Sequence, residues 1–350
     1  MGKKKVIVLS DFFCTPLVME KAVQDKPFWL QTERKYFNTE WPKIPFHYDG
    51  ECKEYTPYPE EAIEEARDCE AIITHIGLVD RRLIETARNL KIIGCLRSGP
   101  VNVDVTFAAS RKIPVVSTPF RGTEAVAEYV VGLMIALRRS IVAAHEAYKR
   151  GAWTQNFYYR YDNAYPPFSE QRIGFVGFGN IARACIRLLA PFHCECVAYD
   201  PFVSAEAMAE SNVQKIDLEE LLKTSDIVSL HLRYAIGMEN MMDWKQFRLM
   251  KPTALFINTA RGRLVNETAL ETALREKWIA GAALDTFWDE SQVSTGFVDT
   301  PSNLILTPHI AGASRRTADT AAATVVEAIE KFFVEHSLQA RINKPGRIFP

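Results

Sequence analysis

The chain has 350 residues, which at roughly 150 residues per domain corresponds to about two domains. Its 42 Lys and Arg residues nearly balance its 43 Asp and Glu residues, which argues against a nucleic-acid-binding surface and against an acidic disordered tail. The seven scattered cysteines match neither a disulfide framework nor a zinc site, so we expect buried, reduced thiols and no metal.

The N-terminal segment predicts no membrane targeting. Met1–Lys5 precedes a short apolar run, Val6–Leu9, whereas a signal peptide needs about 7–15 apolar residues and a cleavage site of small residues. The most hydrophobic predicted helix, Ala125–Leu137, is too short to cross a bilayer and contains Glu128. We therefore expect a cytoplasmic protein with no membrane partner.

Short β-branched runs alternate with helical patterns in the first third of the chain. The predicted strands are Val6–Leu9, Ala71–Thr74, Lys91–Cys95 and Pro114–Val116, and the helices between them include Glu60–Arg67 and Arg81–Arg88. This alternation is typical of βαβ units with a parallel sheet. A long helix that begins near Thr123 follows them.

A second series of βαβ units follows residue 170. Its predicted strands are Arg172–Val176, Cys194–Tyr199, Ile227–His231, Ala254–Asn258, Gly281–Leu284 and Leu304–Leu306. Helices fit between them, for example at Leu218–Thr224 and Glu267–Lys277. Six strands in two halves form the sheet of a doubly wound dinucleotide-binding domain. An amphipathic helix at about Arg315–Phe333 comes last.

A glycine-rich loop follows the first strand of the second series and precedes a predicted helix. Gly177, Gly179 and Ala182 form the pattern GxGxxA. Such a loop allows a tight turn, a close backbone approach to a pyrophosphate and packing of the helix on the strand. The helix N-terminus then binds the negative charge. The loop predicts a dinucleotide site.

Asp200 supports this prediction, because it follows the second strand of the series at the distance expected for the ribose-binding acid. Its carboxylate would accept hydrogen bonds from both ribose hydroxyls and repel a 2′-phosphate. No Arg or Lys follows in Pro201-Phe202, which favours NAD over NADP. The alternative is a turn residue before proline.

Three later strands end in residues suited to acid–base chemistry. Arg261 follows one strand, Asp285 and Glu290 follow the next, and His309 follows the last. Ligands of open α/β sheets bind beyond the carboxyl ends of strands. A histidine can exchange the hydroxyl proton of a 2-hydroxy acid, a carboxylate can orient it, and a guanidinium can bind the acid group. Taken singly, each residue is more often structural; together they predict oxidation of a 2-hydroxy acid.

With these residues, the chain resembles the D-isomer-specific 2-hydroxyacid dehydrogenase family, relatives of phosphoglycerate dehydrogenase and glyoxylate/hydroxypyruvate reductase. The resemblance implies an α/β fold of two doubly wound parallel-sheet domains. A central Rossmann NAD domain, 119–312, is inserted in a flavodoxin-like catalytic and substrate domain, 1–118 and 313–350. It also implies a cleft between the domains and a homodimer joined through the NAD domain.

The resemblance assigns roles residue by residue. It implies that Arg261 binds the substrate, that His309 is the catalytic histidine and that Glu290 is its carboxylate partner. Asp285 would bind the nicotinamide carboxamide. The remaining implied cofactor contacts are the pyrophosphate-binding Asn180 and Ile181 and the lining residues His231, Ala260 and Gly312.

The segment Arg97–Asn102 departs from the family pattern, which usually has a glycine-rich loop whose N–H groups bind the substrate carboxylate. Ser98 and Gly99 could still donate, whereas Pro100 lacks an N–H group. We hypothesise that Arg97 binds the substrate carboxylate or a distal polar group, which would favour a larger, sugar-derived acid. The alternative is an ion pair that braces the two domains.

Two other functions share these sequence features. One is a non-enzymatic NAD-sensing binding protein that resembles the C-terminal-binding-protein corepressors, because those proteins carry the same motifs. The other is a related dehydrogenase with different chemistry, such as formate oxidation. That site has no glutamate partner for its histidine, so Glu290 argues against it.

Overall fold

A computed structural model of the protein describes residues 3–39, 47–49, 51–151, 164–290, 297 and 303–337. The chain divides into two compact units. Unit 1 contains the chain through Gly122 and again from Ala313, and unit 2 is Thr123–Gly312. The sequence predicts these junctions after residues 118 and 312.

The described strands are β1 (Lys4–Ser10), β2 (Thr32–Asn38), β3 (His47–Asp49), β4 (Cys52–Tyr55), β5 (Ala71–Thr74), β6 (Ile92–Cys95), β7 (Val115–Val116), β8 (Arg172–Val176), β9 (Glu195–Tyr199), β10 (Gln214–Lys215), β11 (Ile227–Leu230), β12 (Leu255–Asn258), β13 (Gly281–Leu284) and β14 (Asn303–Leu306). The described α-helices are α1 (Pro16–Val23), α2 (Pro27–Leu30), α3 (Glu60–Ala66), α4 (Arg81–Thr86), α5 (Val105–Ser110), α6 (Thr123–Arg138), α7 (Ile141–Lys149), α8 (Asn180–Leu189), α9 (Ala205–Ala209), α10 (Leu218–Thr224), α11 (Trp244–Leu249), α12 (Glu267–Arg275) and α13 (Arg315–Val334).

Unit 1 is built on a parallel sheet with the strand order β2-β1-β5-β6-β7. The chain runs from β1 outward to β2 and then crosses to the other side of β1, so the order reverses between β1 and β5. This is the flavodoxin-like arrangement of a doubly wound sheet. Val6–Leu9 of β1 is fully buried, as expected for a central parallel strand covered on both faces. An antiparallel hairpin, β3-β4, lies outside this sheet.

Unit 2 is built on a parallel sheet with the strand order β10-β9-β8-β11-β12-β13-β14. Its order reverses between β8 and β11, as in the Rossmann arrangement. The apolar residues of the central strands are buried on both faces and join two hydrophobic clusters, one of which includes α6 and α8. The predicted α/β class with two doubly wound parallel sheets is confirmed.

The predicted strand positions are confirmed to within one or two residues, but several elements were not predicted. The strand β2 pairs with β1 along all of its length, although its sequence, TERKYFN, is mostly polar. An edge strand needs only one neighbour, so it tolerates polar side chains that a central strand excludes. The two-residue strand β10 is likewise at an edge.

The predicted long helix begins at Thr123 as α6, and the last predicted helix is α13. No helix in the described part of the chain is long and apolar enough to cross a membrane.

Candidate active site

The glycine-rich loop lies where β8 and β11 approach each other. Gly177 follows β8 with a φ of +96°, a conformation that side-chain-bearing residues rarely adopt. A Cβ atom at this position would lie 2.8 Å from the carbonyl oxygen of His231, which follows β11. Only glycine therefore allows this backbone approach, and the loop occupies the point where the strand order reverses.

The N-terminus of α8 offers a place for a dinucleotide pyrophosphate. Gly179 precedes the helix, and a Cβ atom placed on it would meet nothing within 4 Å. The first turn, which begins with Asn180 and Ile181, contains no acidic side chain. Because the first N–H groups of a helix have no intrahelical acceptor and carry partial positive charge, this turn fits an anion bound by the backbone.

Asp200 joins the end of β9 to the glycine-rich loop. Its Oδ2 accepts a hydrogen bond from the N–H of Phe178 (2.9 Å), and its Oδ1 accepts one from the N–H of Phe202 (2.9 Å). Each carboxylate oxygen can accept more than one hydrogen bond, so ribose hydroxyls remain compatible with this arrangement. The sequence analysis did not foresee the two backbone contacts that hold the carboxylate in place.

His231 is a neutral member of this site. Burial lowers its pKa to about 3, so the imidazole stays uncharged at physiological pH. Its Nε2 lies 2.9 Å from Ser229 Oγ, and its ring contacts Phe175 at 5.5 Å between centroids. These contacts place it as a polar, uncharged side chain beside the glycine-rich loop.

The turn that carries Arg261 is fixed by Asn258, the fully buried last residue of β12. Asn258 Oδ1 accepts from the N–H of Ala260 (3.0 Å), and its Nδ2 donates to the carbonyl of Arg261 (3.0 Å). A Cβ at Gly262 would lie 1.8 Å from the carbonyl carbon of Phe287, so glycine is required where the turn packs on the segment after β13. The Arg261 side chain is exposed.

Asp285, at the end of β13, holds the loop that contains His309. Its Oδ1 accepts from Thr307 Oγ1 (2.6 Å) and from the N–H of Ile310 (2.9 Å), while its Oδ2 accepts from the N–H of Ala311 (2.8 Å). Asp285 is completely buried. The sequence analysis assigned this residue to the nicotinamide carboxamide and did not foresee that it anchors the neighbouring loop.

His309 and Glu290 form the hydrogen-bonded pair that the sequence predicts. His309 Nδ1 lies 2.8 Å from Glu290 Oε2, and Glu290 Oε1 accepts a long hydrogen bond from the N–H of Phe287 (3.4 Å). The imidazole is partly exposed while the carboxylate is mostly buried. His309 has a φ of +52°, an unfavourable backbone conformation of the kind that concentrates at functional sites.

Unit 2 brings the predicted residues together in two groups. Asp200 and His231 approach the glycine-rich loop, while Glu290 and Asp285 contact His309 and its loop. Gly262, next to Arg261, packs against Phe287, and the Arg261 guanidinium donates to the carbonyl of Ala260 (2.7 Å).

Arg97, Ser98 and Gly99 lie in unit 1, in the loop after β6. Arg97 Nη1 donates to the carbonyl of Glu54 (2.8 Å), and Nη2 forms an ion pair with the Glu54 carboxylate. Both side chains are mostly buried. This ion pair lies within unit 1, so it does not itself join the two domains as the alternative supposed, and substrate binding by Arg97 stays a prediction. Ser98 is exposed, and a Cβ on Gly99 would meet nothing within 4 Å.

Unit 1 contains a polar cluster that was not predicted from the sequence. Asp11 follows β1, His75 follows β5 and Arg121 follows β7. His75 Nδ1 lies 2.7 Å from Asp11 Oδ2, and Arg121 Nη2 lies 3.1 Å from His75 Nε2. All three residues follow strands, so the search of strand ends that identified His309 would also have identified them.

Asp11, Cys14 and His75 have potential metal-ligating atoms within 4.8 Å of one another. Arginine can only donate, so Arg121 requires His75 Nε2 to accept and leaves the imidazole proton on Nδ1, facing Asp11. Burial also raises the pKa of the Cys14 thiol, which opposes the thiolate that a metal needs. The arrangement does not suit a metal ion.

Residues 131–311 match the family model described as D-isomer specific 2-hydroxyacid dehydrogenase, NAD binding domain. The glyoxylate reductase of Thermofilum pendens is 35% identical over 292 residues, covering 80% of this chain and 84% of that protein. The D-3-phosphoglycerate dehydrogenase of Methanocaldococcus jannaschii is 33% identical over 82% of this chain, but over only 54% of that longer protein. The chain therefore belongs to the D-isomer-specific 2-hydroxyacid dehydrogenase family.

The fold is similar to that of solved members. D-lactate dehydrogenase from Lactobacillus jensenii, solved with NAD⁺, superimposes with a TM-score of 0.78 at 23% identity, covering 97% of this chain and all of that chain. The chain is thus an NAD-dependent enzyme that interconverts a D-2-hydroxy acid and its 2-oxo acid. The alternative of a non-enzymatic NAD sensor gains no support from these relatives.

Proposed function

We propose that His309 exchanges the proton of the reacting oxygen and that Glu290 orients it. The observation that carries this proposal is the 2.8 Å contact between His309 Nδ1 and Glu290 Oε2. With Nδ1 facing the carboxylate, Nε2 is the nitrogen free to meet a substrate. In oxidation, Nε2 accepts the hydroxyl proton; in reduction, the charged imidazole donates a proton to the carbonyl oxygen, and Glu290 stabilises its charge.

Binding of the acid group falls to Arg261. Its turn is fixed by Asn258, while its guanidinium is exposed and can form two parallel hydrogen bonds with a carboxylate. We assign the backbone N–H groups of Ser98 and Gly99 in unit 1 to substrate binding, because Ser98 is exposed and a Cβ on Gly99 would meet nothing within 4 Å. Arg97, whose charge is paired with Glu54, would hold this loop in place.

The cofactor would be held by unit 2. NAD, when bound, accepts or supplies the hydride at the carbon that carries the reacting oxygen. The first turn of α8 would bind the pyrophosphate, because its N–H groups have no intrahelical acceptor. Asp200 would bind the ribose, because its carboxylate oxygens can accept further hydrogen bonds from the hydroxyls. His231, Ala260, Asp285 and Gly312 lie on the loops that would surround the nicotinamide half.

The substrate would be a small 2-oxo acid or 2-hydroxy acid, including sugar-derived acids. Glyoxylate is the first substrate to test, because a relative that is 35% identical is a glyoxylate reductase. The test is a panel of glyoxylate, pyruvate, hydroxypyruvate and longer sugar-derived 2-oxo acids, with oxidation of NADH followed and NADPH as the control. We expect turnover of at least one acid and a preference for NADH; no oxidation of NADH with any acid would refute the proposal.

We also propose a homodimer joined through unit 2. The helix α7 has no buried residue, and its apolar Ile141 and Val142 are 51% and 39% exposed. An amphipathic helix with no buried face in one subunit favours an interface with another. Light scattering after size exclusion should give twice the mass of the chain, and Ile141→Asp should lower it; an unchanged mass for the variant would contradict this interface.

All seven cysteines are free, which supports a location in the reducing cytoplasm.

A further inference from the structure

Two of the seven cysteines stand one residue apart at the start of β9 in unit 2. Cys194 precedes the strand and Cys196 is its second residue. Both side chains pack against the hydrophobic cluster that includes α6 and α8. Residues two apart on a strand face the same side. The intervening Glu195 is exposed and accepts two hydrogen bonds from Arg172 on β8 (2.9 and 2.7 Å). The two thiols therefore form a pair on one face of the strand.

A side-chain hydrogen bond joins the two thiols. This bond holds the pKa of the Cys194 thiol below its usual range, and it raises the pKa of the Cys196 thiol. Exposed residues flank Cys194 on both sides, whereas the buried Val197 follows Cys196. Water therefore stabilises a negative charge better at Cys194. Because the thiolate is the nucleophilic form of cysteine, Cys194 is the nucleophile of the pair.

The other five cysteines have different surroundings. All five are buried, whereas Cys194 and Cys196 are partly exposed. Burial raises the pKa of the thiol to about 12 at Cys69 in unit 1 and at Cys185 on α8, so these two thiols stay protonated. Reactive cysteines combine partial exposure, a lowered pKa and a second thiol beside them. Cys194 has all three properties.

The pair lies at the opposite end of β9 from the proposed ribose-binding residue. Asp200 follows the carboxyl end of the strand, whereas the pair lies at its amino end. Cys196 and Asp200 are four residues apart, which corresponds to roughly 13 Å along an extended strand. The dehydrogenase chemistry assigned to unit 2 therefore does not use the pair, and a reaction at the pair leaves the space beside Asp200 open.

We propose that Cys194 and Cys196 form a modification site for hydroperoxides, at which the two thiols are converted to a disulfide. The Cys194 thiolate attacks the O–O bond, which gives a sulfenic acid on Cys194 and, with a proton from water, one molecule of water or alcohol. The Cys196 sulfur then attacks the sulfenic sulfur, the S–S bond forms and the hydroxyl group leaves as water. The two thiols lose two electrons, and the peroxide gains two.

The spacing of the pair makes the disulfide reversible. Residues two apart on an extended strand have Cα atoms about 6.6 Å apart, at the upper end of the range that a disulfide bridges. Disulfides of unfavourable geometry are reduced more readily than structural ones. A cellular thiol would therefore return the pair to the reduced state by thiol–disulfide exchange.

Trypsin isolates the pair for mass spectrometry. Cleavage after Arg187 and Lys215 gives one peptide, 188–215, that contains both thiols and no other cysteine. The folded protein is treated with hydrogen peroxide, unfolded, alkylated with iodoacetamide and digested. We expect this peptide to be lighter by about 2 Da and to carry no alkyl group, whereas dithiothreitol should restore two alkylated thiols. Peptide 68–81, which contains the buried Cys69, should stay reduced as the internal control.

Three variants assign the two roles within the pair. Cys196→Ser should stop at the sulfenic acid on Cys194, which dimedone traps. Cys194→Ser should slow oxidation of the peptide at least about tenfold, because the remaining thiol keeps its proton. Cys185→Ala, at the buried cysteine of α8, should leave disulfide formation unchanged. Chemical denaturation before oxidation verifies that each variant is folded.

Three results would overturn the site. The first is a pair that stays reduced at peroxide concentrations that oxidise Cys69. The second is sulfinic or sulfonic acid in place of a disulfide in the wild type. The third is equal oxidation rates for Cys194→Ser and Cys196→Ser in folded proteins. The experiment uses no 2-oxo acid, so its outcome is independent of the proposed dehydrogenase activity.

Discussion

The sheets of the two units differ in the hydrogen-bonding groups that they present at the point where the strand order reverses. In unit 2 the strand order reverses beside Gly177 and the start of α8, where the glycines leave backbone N–H groups as the donors. In unit 1 it reverses beside Asp11 and His75, where charged and polar side chains gather. Backbone N–H groups suit a ligand that is the same in every enzyme, such as a pyrophosphate. Side chains can differ from one enzyme to another, so a site made of them can differ in its ligand. Unit 2 therefore presents backbone donors where its strand order reverses, whereas unit 1 presents charged and polar side chains there.

The largest expected effect concerns the chemistry of unit 2. His309→Gln removes the group proposed to exchange the proton, so kcat should fall by about 10²–10⁴ for every acid tested, without a change in preference among them. Steady-state kinetics with saturating NADH measures this. His193→Gln, at an exposed histidine of the same unit, is the matched control. A loss smaller than tenfold would mean that another group transfers the proton.

A smaller loss is expected when the histidine remains but its carboxylate loses its charge. Glu290→Gln keeps the size of the side chain and removes the negative charge that stabilises the charged imidazole across the 2.8 Å contact. The imidazole then loses the carboxylate that orients it, so kcat for 2-oxo acid reduction should fall by about tenfold or more, and by less than in His309→Gln. An unchanged kcat in steady-state kinetics would show that Glu290 does not orient the imidazole.

Substitutions at two glycines of one loop are expected to affect different quantities, the stability of the fold and the affinity for the cofactor. Gly177→Ala should lower the free energy of unfolding of the apo-protein by about 1–3 kcal/mol, because of its positive φ and the approach of His231 O. Gly179→Ala should leave that free energy nearly unchanged, since its Cβ meets nothing. It should instead raise the Kd for NADH about tenfold, or about 1.4 kcal/mol, by filling the space for the pyrophosphate.

Chemical denaturation and NADH fluorescence titration measure the two quantities. The two variants act as controls for each other, since each is expected to change mainly one of them. Equal NADH affinity for Gly179→Ala and the wild type would place the pyrophosphate elsewhere.

The smallest expected effect is a pH dependence of stability from His231. Its folded-state pKa of about 3 lies below the ordinary value of 6.5, so its contribution is complete above pH 6.5 and is lost progressively as the pH falls toward 3. At pH 5.5 this loss is about 1.4 kcal/mol. His231→Asn should reduce the difference in unfolding free energy between pH 7.5 and pH 5.5 by about that amount. An unchanged difference would mean that the imidazole is already charged in the folded state.

Sequence patterns predicted unit 2 better than unit 1 for a physical reason. A backbone site demands glycine at fixed spacing, so Gly177 and Gly179 leave a visible trace. Glu290 and His309 follow predicted strands, and the resemblance supplied their pairing. Asp11, His75 and Arg121 each follow a strand and could have been found at the strand ends, but they lie far apart in the chain, so only the folded sheet shows that they meet. Arg97, by contrast, was visible in its loop, but its partner Glu54 was not, because ion pairs depend on tertiary contacts.

The anchoring of the His309 loop by Asp285 has a consequence for protein engineering. The loop that contains His309 is held by the carboxylate of Asp285 at the end of β13, and the backbone N–H of Asp285 donates to the carbonyl of Asn258 on β12. The turn after β12 in turn packs through Gly262 on the residues after β13. The segments that follow β12, β13 and β14 therefore hold one another in place. A redesign that exchanges any one of these loops alone would misplace the histidine, whereas transplanting all three together would preserve it.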